Sequence, residues 1–198
     1  MLLYIHGFAS SGQSYKGKVL TIAFGRQQVL APTLSTVPDE AVAALKQTMD
    51  PLLEQNTPFM LVGSSLGGYY AAYLAGEYDL PCVLVNPSVS PLKTLVKGLG
   101  LNPYYSGKSG YFLFTRDHLG QFRNYQPSER AQERMLLMVQ TGDEVLDYRK
   151  ALEQFPKAEH YVIEGGSHGF DRFEDHLHRL RVFYRQQLGE ELLPQPTH

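Results

Sequence analysis

Residues 63–68 read Gly-Ser-Ser-Leu-Gly-Gly, a G-x-S-x-G pattern centred on Ser65. An apolar run precedes it and Tyr69-Tyr70-Ala71-Ala72-Tyr73-Leu74 follows, the strand–turn–helix setting in which such a pattern pushes a serine above a sheet. The turn crowds its own flanks, so Gly63 and Gly67 stand where a Cβ would clash. Serine attacks a carbonyl only when a base takes its proton, and that base is held by a third group. Of the seven histidines, His168 lies in the glycine-rich stretch Gly165-Gly166-Ser167-His168-Gly169, between a late apolar run and the last helical pattern. His118 and His198 fall in a long connection and in the tail, and His160 begins a strand. His176 and His178 are two apart and point to different faces, a spacing that also fails for a shared metal. His168 is therefore the expected base.

The carboxylate is expected between serine and histidine in chain order. Thr141-Gly142-Asp143-Glu144-Val145-Leu146-Asp147 supplies two candidates. Asp143 comes first after the strand. Asp147 is the alternative acid, although a helix N-cap would also explain it. Acyl transfer further needs two donors for the oxyanion. The first apolar run ends in His6-Gly7-Phe8, and the backbone N–H groups of Phe8 and of Leu66, after the nucleophile, are the expected pair. His6 itself is read as steadying that loop.

Elements must exist to carry these groups. Short apolar runs at 2–6, 28–32, 59–63, 82–86, 135–141 and 161–164 read as strands covered on both faces. Residues 39–55 carry Val42, Leu45, Met49 and Leu52 on one helical face, with Pro51 expected to kink or shorten the helix. Residues 171–188 carry Phe173, Leu177, Leu180 and Tyr184 on one face. Strands alternating with helices specify an α/β fold with a mainly parallel sheet. A single domain over 1–188 is expected, followed by a flexible tail over 189–198.

Residues 87–134 interrupt the rhythm with four prolines, several glycines and a set of aromatics, and with no strand pattern. So long a connection is either an insertion packed on itself or a lid over an apolar pocket. Tyr104, Tyr111 and Phe112 are the candidate pocket residues.

Composition excludes several classes. Lys+Arg 18 against Asp+Glu 20 leaves a net charge of -2, with no basic excess to neutralise phosphates, so nucleic acid is not the expected partner. The first apolar run stops at His6, too short for a signal peptide or a membrane span. One cysteine, Cys82, rules out an internal disulfide and fits a reducing cytosol and a packing role. A dinucleotide-binding oxidoreductase fails on spacing, because Ser65 occupies the place of the second glycine in G-x-G-x-x-G and the loop follows the third strand. A non-catalytic binding module on the same frame, or a peptidase or amidase, remains as an alternative.

Together the segments Tyr4-Ile5-His6-Gly7-Phe8-Ala9-Ser10-Ser11, Gly63–Gly68 and Gly165–His168 resemble the α/β-hydrolase superfamily, and within it the small bacterial YqiA/YcfP-type esterases. The likeness runs over about residues 2–188. It implies a minimal α/β-hydrolase fold without the superfamily's leading antiparallel strands, with sheet order 2-1-3-4-5-6. It implies a cytoplasmic serine esterase with Ser65, Asp143 and His168 as triad. It implies action without a cofactor. The expected substrate is a small to medium acyl ester or thioester, and no metal site is expected.

Overall fold

The computed structural model describes residues 1–105 and 109–189; beyond Gly189, the expected tail lies outside the described residues. Six strands form the main sheet: β1 (Leu2–Ile5), β2 (Val29–Leu30), β3 (Met60–Ser64), β4 (Cys82–Val85), β7 (Met135–Gln140) and β8 (Glu159–Ile163). Their order is β2-β1-β3-β4-β7-β8 and every pairing is parallel. Two further strands, β5 (Gly100–Pro103) and β6 (Tyr111–Phe114), form a separate hairpin; without them the order is 2-1-3-4-5-6.

The strands β1, β3, β4 and β7 are buried at every position. Alternate side chains therefore serve two cores, as the twofold period of a strand requires. Leu3, Ile5, Leu61, Leu84 and Leu137 face α2 (Pro38–Glu54) and α3 (Leu66–Tyr78). Leu2, Tyr4, Met60, Val62, Val83 and Met138 face α1 (Tyr15–Phe24) and α7 (Leu177–Leu188). Cys82 packs in the first core, fully buried, and burial pushes its thiol up, out of reach of nucleophilic duty.

Two helices depart from expectation in their detail. Pro51 does not end α2, which runs one turn further to Glu54, with the Gln55 N–H donating to the Pro51 carbonyl. The last helix starts at Leu177 and not at residue 171. Arg172 adopts φ 55°, a left-handed conformation that breaks the helix, and Phe173–His176 form a 3₁₀ turn. The apolar stripe survives this break, because Phe173, Leu180, Phe183 and Tyr184 all bury against the same core.

Residues 87–134 contain more structure than their composition suggests. They carry α4 (Pro91–Thr94), the antiparallel pair β5 (Gly100–Pro103) and β6 (Tyr111–Phe114), and α5 (Arg116–Gln121). Glycine and proline in β5 read as turn signals, and only pairing with β6 makes that segment a strand. The hairpin alternates, burying Phe112 and Phe114 while Leu101, Tyr111 and Leu113 stay exposed. Phe122 then plugs the region onto α3, stacked on Tyr70 and edge-on to Tyr69.

Strand order reverses on either side of β1, so the loops after β1 and β3 diverge at the carboxyl edge of the sheet. That crevice receives the site.

Candidate active site

The turn after β3 holds Ser65 at φ 55°, ψ -121°, a backbone state that costs a non-glycine residue about 1–3 kcal/mol. The surrounding chain enforces it. The Ser65 N–H donates to the Val85 carbonyl at 3.0 Å, and its carbonyl accepts from the N–H groups of Gly68 and Ser88, each at 2.9 Å. A Cβ on Gly63 would lie 2.3 Å from the Gly67 oxygen, and one on Gly67 would lie 2.0 Å from the Ile5 oxygen. Both glycines are needed for close approach, as the spacing predicts. Ser64, the neighbouring serine, closes β3 and is buried.

His168 reaches over the sheet edge from the loop after β8. Its Nε2 lies 3.0 Å from Ser65 Oγ, and its Nδ1 lies 2.8 Å from Asp143 Oδ2 and 3.0 Å from Oδ1. The imidazole is partly open, at 23% side-chain exposure, while the carboxylate is closed off at 2%. Burial pushes the Asp143 carboxyl up. The hydrogen bond from His168 and those from the Leu146 and Val145 N–H groups outweigh it and hold the carboxyl below its ordinary value. Asp143 therefore stays charged and keeps a fixed acceptor on Nδ1, leaving Nε2 free to accept from Ser65.

Asp147 sits elsewhere. It caps α6 (Tyr148–Gln154), accepting from the Arg149 N–H at 3.1 Å and pairing with the Arg149 guanidinium at 3.2 Å. Other described histidines are also occupied: His160 on the Phe155 carbonyl, His176 on the Tyr161 hydroxyl, His178 on the Asp175 carbonyl, and His118 in the capping box of α5.

The loop after β1 packs directly on the serine, since a Cβ on Gly7 would come within 3.2 Å of the Ser65 Cβ. His6 holds this loop. Its Nε2 accepts from the Leu34 N–H at 2.9 Å, so Nδ1 carries the proton and donates to the Gly7 carbonyl at 2.8 Å. Among the described residues, neither the Phe8 nor the Leu66 backbone N–H is taken up by another group.

Two residues that sequence reading missed brace the histidine loop from beneath. Asn86, buried at the end of β4 with φ 41°, donates to the Ser167 and His168 carbonyls and accepts from the Gln140 N–H. Gln140, buried at the end of β7, accepts from the Ser167 and Asp171 N–H groups and donates to the Asp171 carbonyl. The signal was present: each is a lone amide closing an otherwise apolar strand. The exposed Glu144 adds an acceptor for the His168 N–H at 3.0 Å.

A cavity of about 550 Å³ opens over Ser65 and His168. Phe8, Leu95, Tyr105, Tyr15 and Val145 supply apolar surface, and Ser10, Ser14, Tyr4 and Lys16 supply polar groups. Tyr104, Tyr111 and Phe112 are not among the residues lining this cavity. Tyr104 and Phe112 pack together, and Phe112 and Phe114 both meet Phe8 edge-on, so these rings support the loop from behind. Tyr111 is 69% exposed and does not line the cavity. The excursion contributes Leu95 and Tyr105 instead. In the hairpin the period of two decides which ring faces inward, and composition does not carry that register. Among the described residues, no three His, Cys, Asp or Glu side chains are grouped to hold a metal ion, and no helix is long and apolar enough to cross a membrane.

A parallel sheet of this order, with a serine elbow after β3 and a histidine loop after the last strand, defines the α/β-hydrolase class. Solved structures bear out the fold. Est1E from Butyrivibrio proteoclasticus, with ferulic acid bound, superposes at a TM-score of 0.70 and 13% identity, over 96% of this chain and 89% of that one. An esterase domain from a Rhodothermus marinus protein superposes at 0.65 and 18% identity, over 93% and 86%. Within that class the chain belongs to the uncharacterised protein family UPF0227, whose pattern it matches over residues 1–185. A member from Pectobacterium atrosepticum is 25% identical over 193 residues, spanning 92% of this chain and 98% of the relative.

Proposed function

We propose that the chain is a serine hydrolase that cleaves small to medium carboxylic esters or thioesters through an acyl-enzyme on Ser65. The observation that carries this reading is the unbroken hydrogen-bonded series from Ser65 Oγ through His168 to a buried, charged Asp143. His168 Nε2 takes the hydroxyl proton as Ser65 Oγ attacks the carbonyl carbon, and the imidazolium is stabilised by Asp143. The N–H groups of Phe8 and Leu66 bind the oxyanion, each contributing about 3–4 kcal/mol to the transition state. Collapse expels the alcohol or thiol, which leaves with the proton from His168. Water then attacks the acyl-enzyme, gives its proton to His168, and releases the acid as that proton returns to Ser65.

A cavity of about 550 Å³ suits a small-molecule substrate. Leu95 and Tyr105 bring the excursion to its rim, which supports a covering role for residues 87–134. The likeness to Est1E, seen with ferulic acid bound, and to the Rhodothermus marinus esterase domain favours an ester over an amide. Steady-state hydrolysis of p-nitrophenyl esters tests the proposal. Ser65→Ala and His168→Ala are each expected to lower kcat by about 10⁴–10⁶-fold. Activity within tenfold of wild type in either variant rejects it.

A further inference from the structure

Lys16 is the one buried lysine among the described residues, and the triad does not use it. It lies in the first turn of α1, is only 9% exposed, and lines the same cavity as Ser65 and His168. Its ammonium carries three N–H donors, and one of them goes to the Gly169 carbonyl at 2.6 Å. Among the described residues it makes no ion pair. Asp143 is near enough to act on it through space, but that carboxylate is already engaged by His168, Val145 and Leu146. A buried ammonium without a directly paired carboxylate is costly, and proteins ordinarily pair it.

The cavity gathers more of the same character around it. Ser14, at the N-cap of α1, makes no side-chain capping bond, so this ten-residue helix presents an uncapped, partially positive end. Ser14 Oγ and the Tyr4 hydroxyl lie 3.0 Å apart, and both line the cavity. Phe8, Leu95, Tyr105 and Val145, which also line the cavity, add largely apolar surface. The cavity thus offers both apolar surface suited to hydrocarbon and a group of donors suited to an anion.

We infer that Lys16, with the N-terminal end of α1 and the Ser14 and Tyr4 hydroxyls, seats a carboxylate on the substrate, making the preferred substrate a half-ester or half-thioester of a dicarboxylic acid. This deepens the serine-hydrolase reading and rests on it. A carboxylate fits better than a phosphate, because one ammonium balances a single negative charge, whereas a phosphate monoester carries about -1.5 to -2.

The test compares mono-p-nitrophenyl glutarate with p-nitrophenyl pentanoate, which share a five-carbon acyl chain, after correction for spontaneous hydrolysis. Wild type is expected to favour the glutarate by about tenfold or more in kcat/KM, and Lys16→Met to reduce that ratio by about 10–100-fold. Should both substrates slow equally in Lys16→Met, Lys16 merely props the His168 loop through Gly169, and the inference fails. A measurement on wild type alone guards against a variant that does not fold. Monomethyl glutarate should compete with p-nitrophenyl pentanoate at least tenfold more tightly than dimethyl glutarate does. Equal competition overturns the anion seat, and tighter competition by inorganic phosphate overturns the carboxylate assignment. Fluorophosphonate labelling separates the two levels. A wild type that labels on Ser65 but shows no preference defeats only this inference, whereas one that does not label defeats the reading beneath it.

Discussion

Asp143 and Asp147 lie four residues apart, and their surroundings give them different work. The first has its side chain closed off beneath His168 and accepts two backbone N–H bonds; the second is an exposed N-cap paired with Arg149. Replacing Asp143 with Asn removes the charge that holds the Nδ1 proton and favours the wrong tautomer, so kcat is expected to fall by about 10⁴-fold. Asp147→Asn keeps a good N-cap and should leave ester hydrolysis within about threefold of wild type. Parallel kinetics on the two variants check this, and an equal loss in both would contradict it. Sequence order alone left both acids open, because each follows β7 at loop-length distance. What separates them is burial and the reach of one imidazole, which a linear spacing does not encode.

The site is assembled at the ends of the strands. Glycine spacing, the strand–turn–helix context of Ser65 and the glycine-rich loop before His168 were all legible, because steric crowding at a sharp turn restricts residue types directly. The amides that hold the histidine loop were not. Asn86 and Gln140 act only once β4 and β7 are neighbours in the sheet and the loop after β8 folds across them. Asn86→Ala would strand the Gln140 N–H and the Ser167 carbonyl, a loss of about 1–3 kcal/mol for each buried group left unpaired. We expect a clear drop in Tm together with slower ester hydrolysis, as His168 loses its fixed place above Ser65. Thermal melts beside kinetics would show it, and normal values in both would mean the brace is dispensable. The hairpin β5–β6 was illegible for a related reason: its strands exist through pairing, and its inward rings are chosen by register.

For the whole molecule, stability and site composition oppose each other at Lys16. Burial lowers its pKa from 10.5 to about 8, with Asp143 partly offsetting the effect. Between those values the unfolded chain binds the proton that the folded chain has released, so stability rises with pH across that window. At about 1.4 kcal/mol for each tenfold change in proton affinity, the lowering corresponds to roughly 3 kcal/mol. Denaturant unfolding of wild type and Lys16→Met from pH 7.5 to 10.5 should show the difference moving in favour of wild type by about that amount. A difference that stays flat would mean the ammonium is not desolvated in the fold. A domain this compact thus keeps a costly charge at its cavity, which is expected where function and not packing selects the residue.

If Ser65 is an activated nucleophile, it reacts with electrophiles that ordinary serines ignore. The most direct test is reaction of the intact protein with a fluorophosphonate, read by mass spectrometry of the modified peptide. One adduct per chain is expected, located on Ser65, lost in Ser65→Ala and formed much more slowly in His168→Ala. A chain that stays unlabelled, or that carries the adduct on another residue such as Ser64, would contradict this.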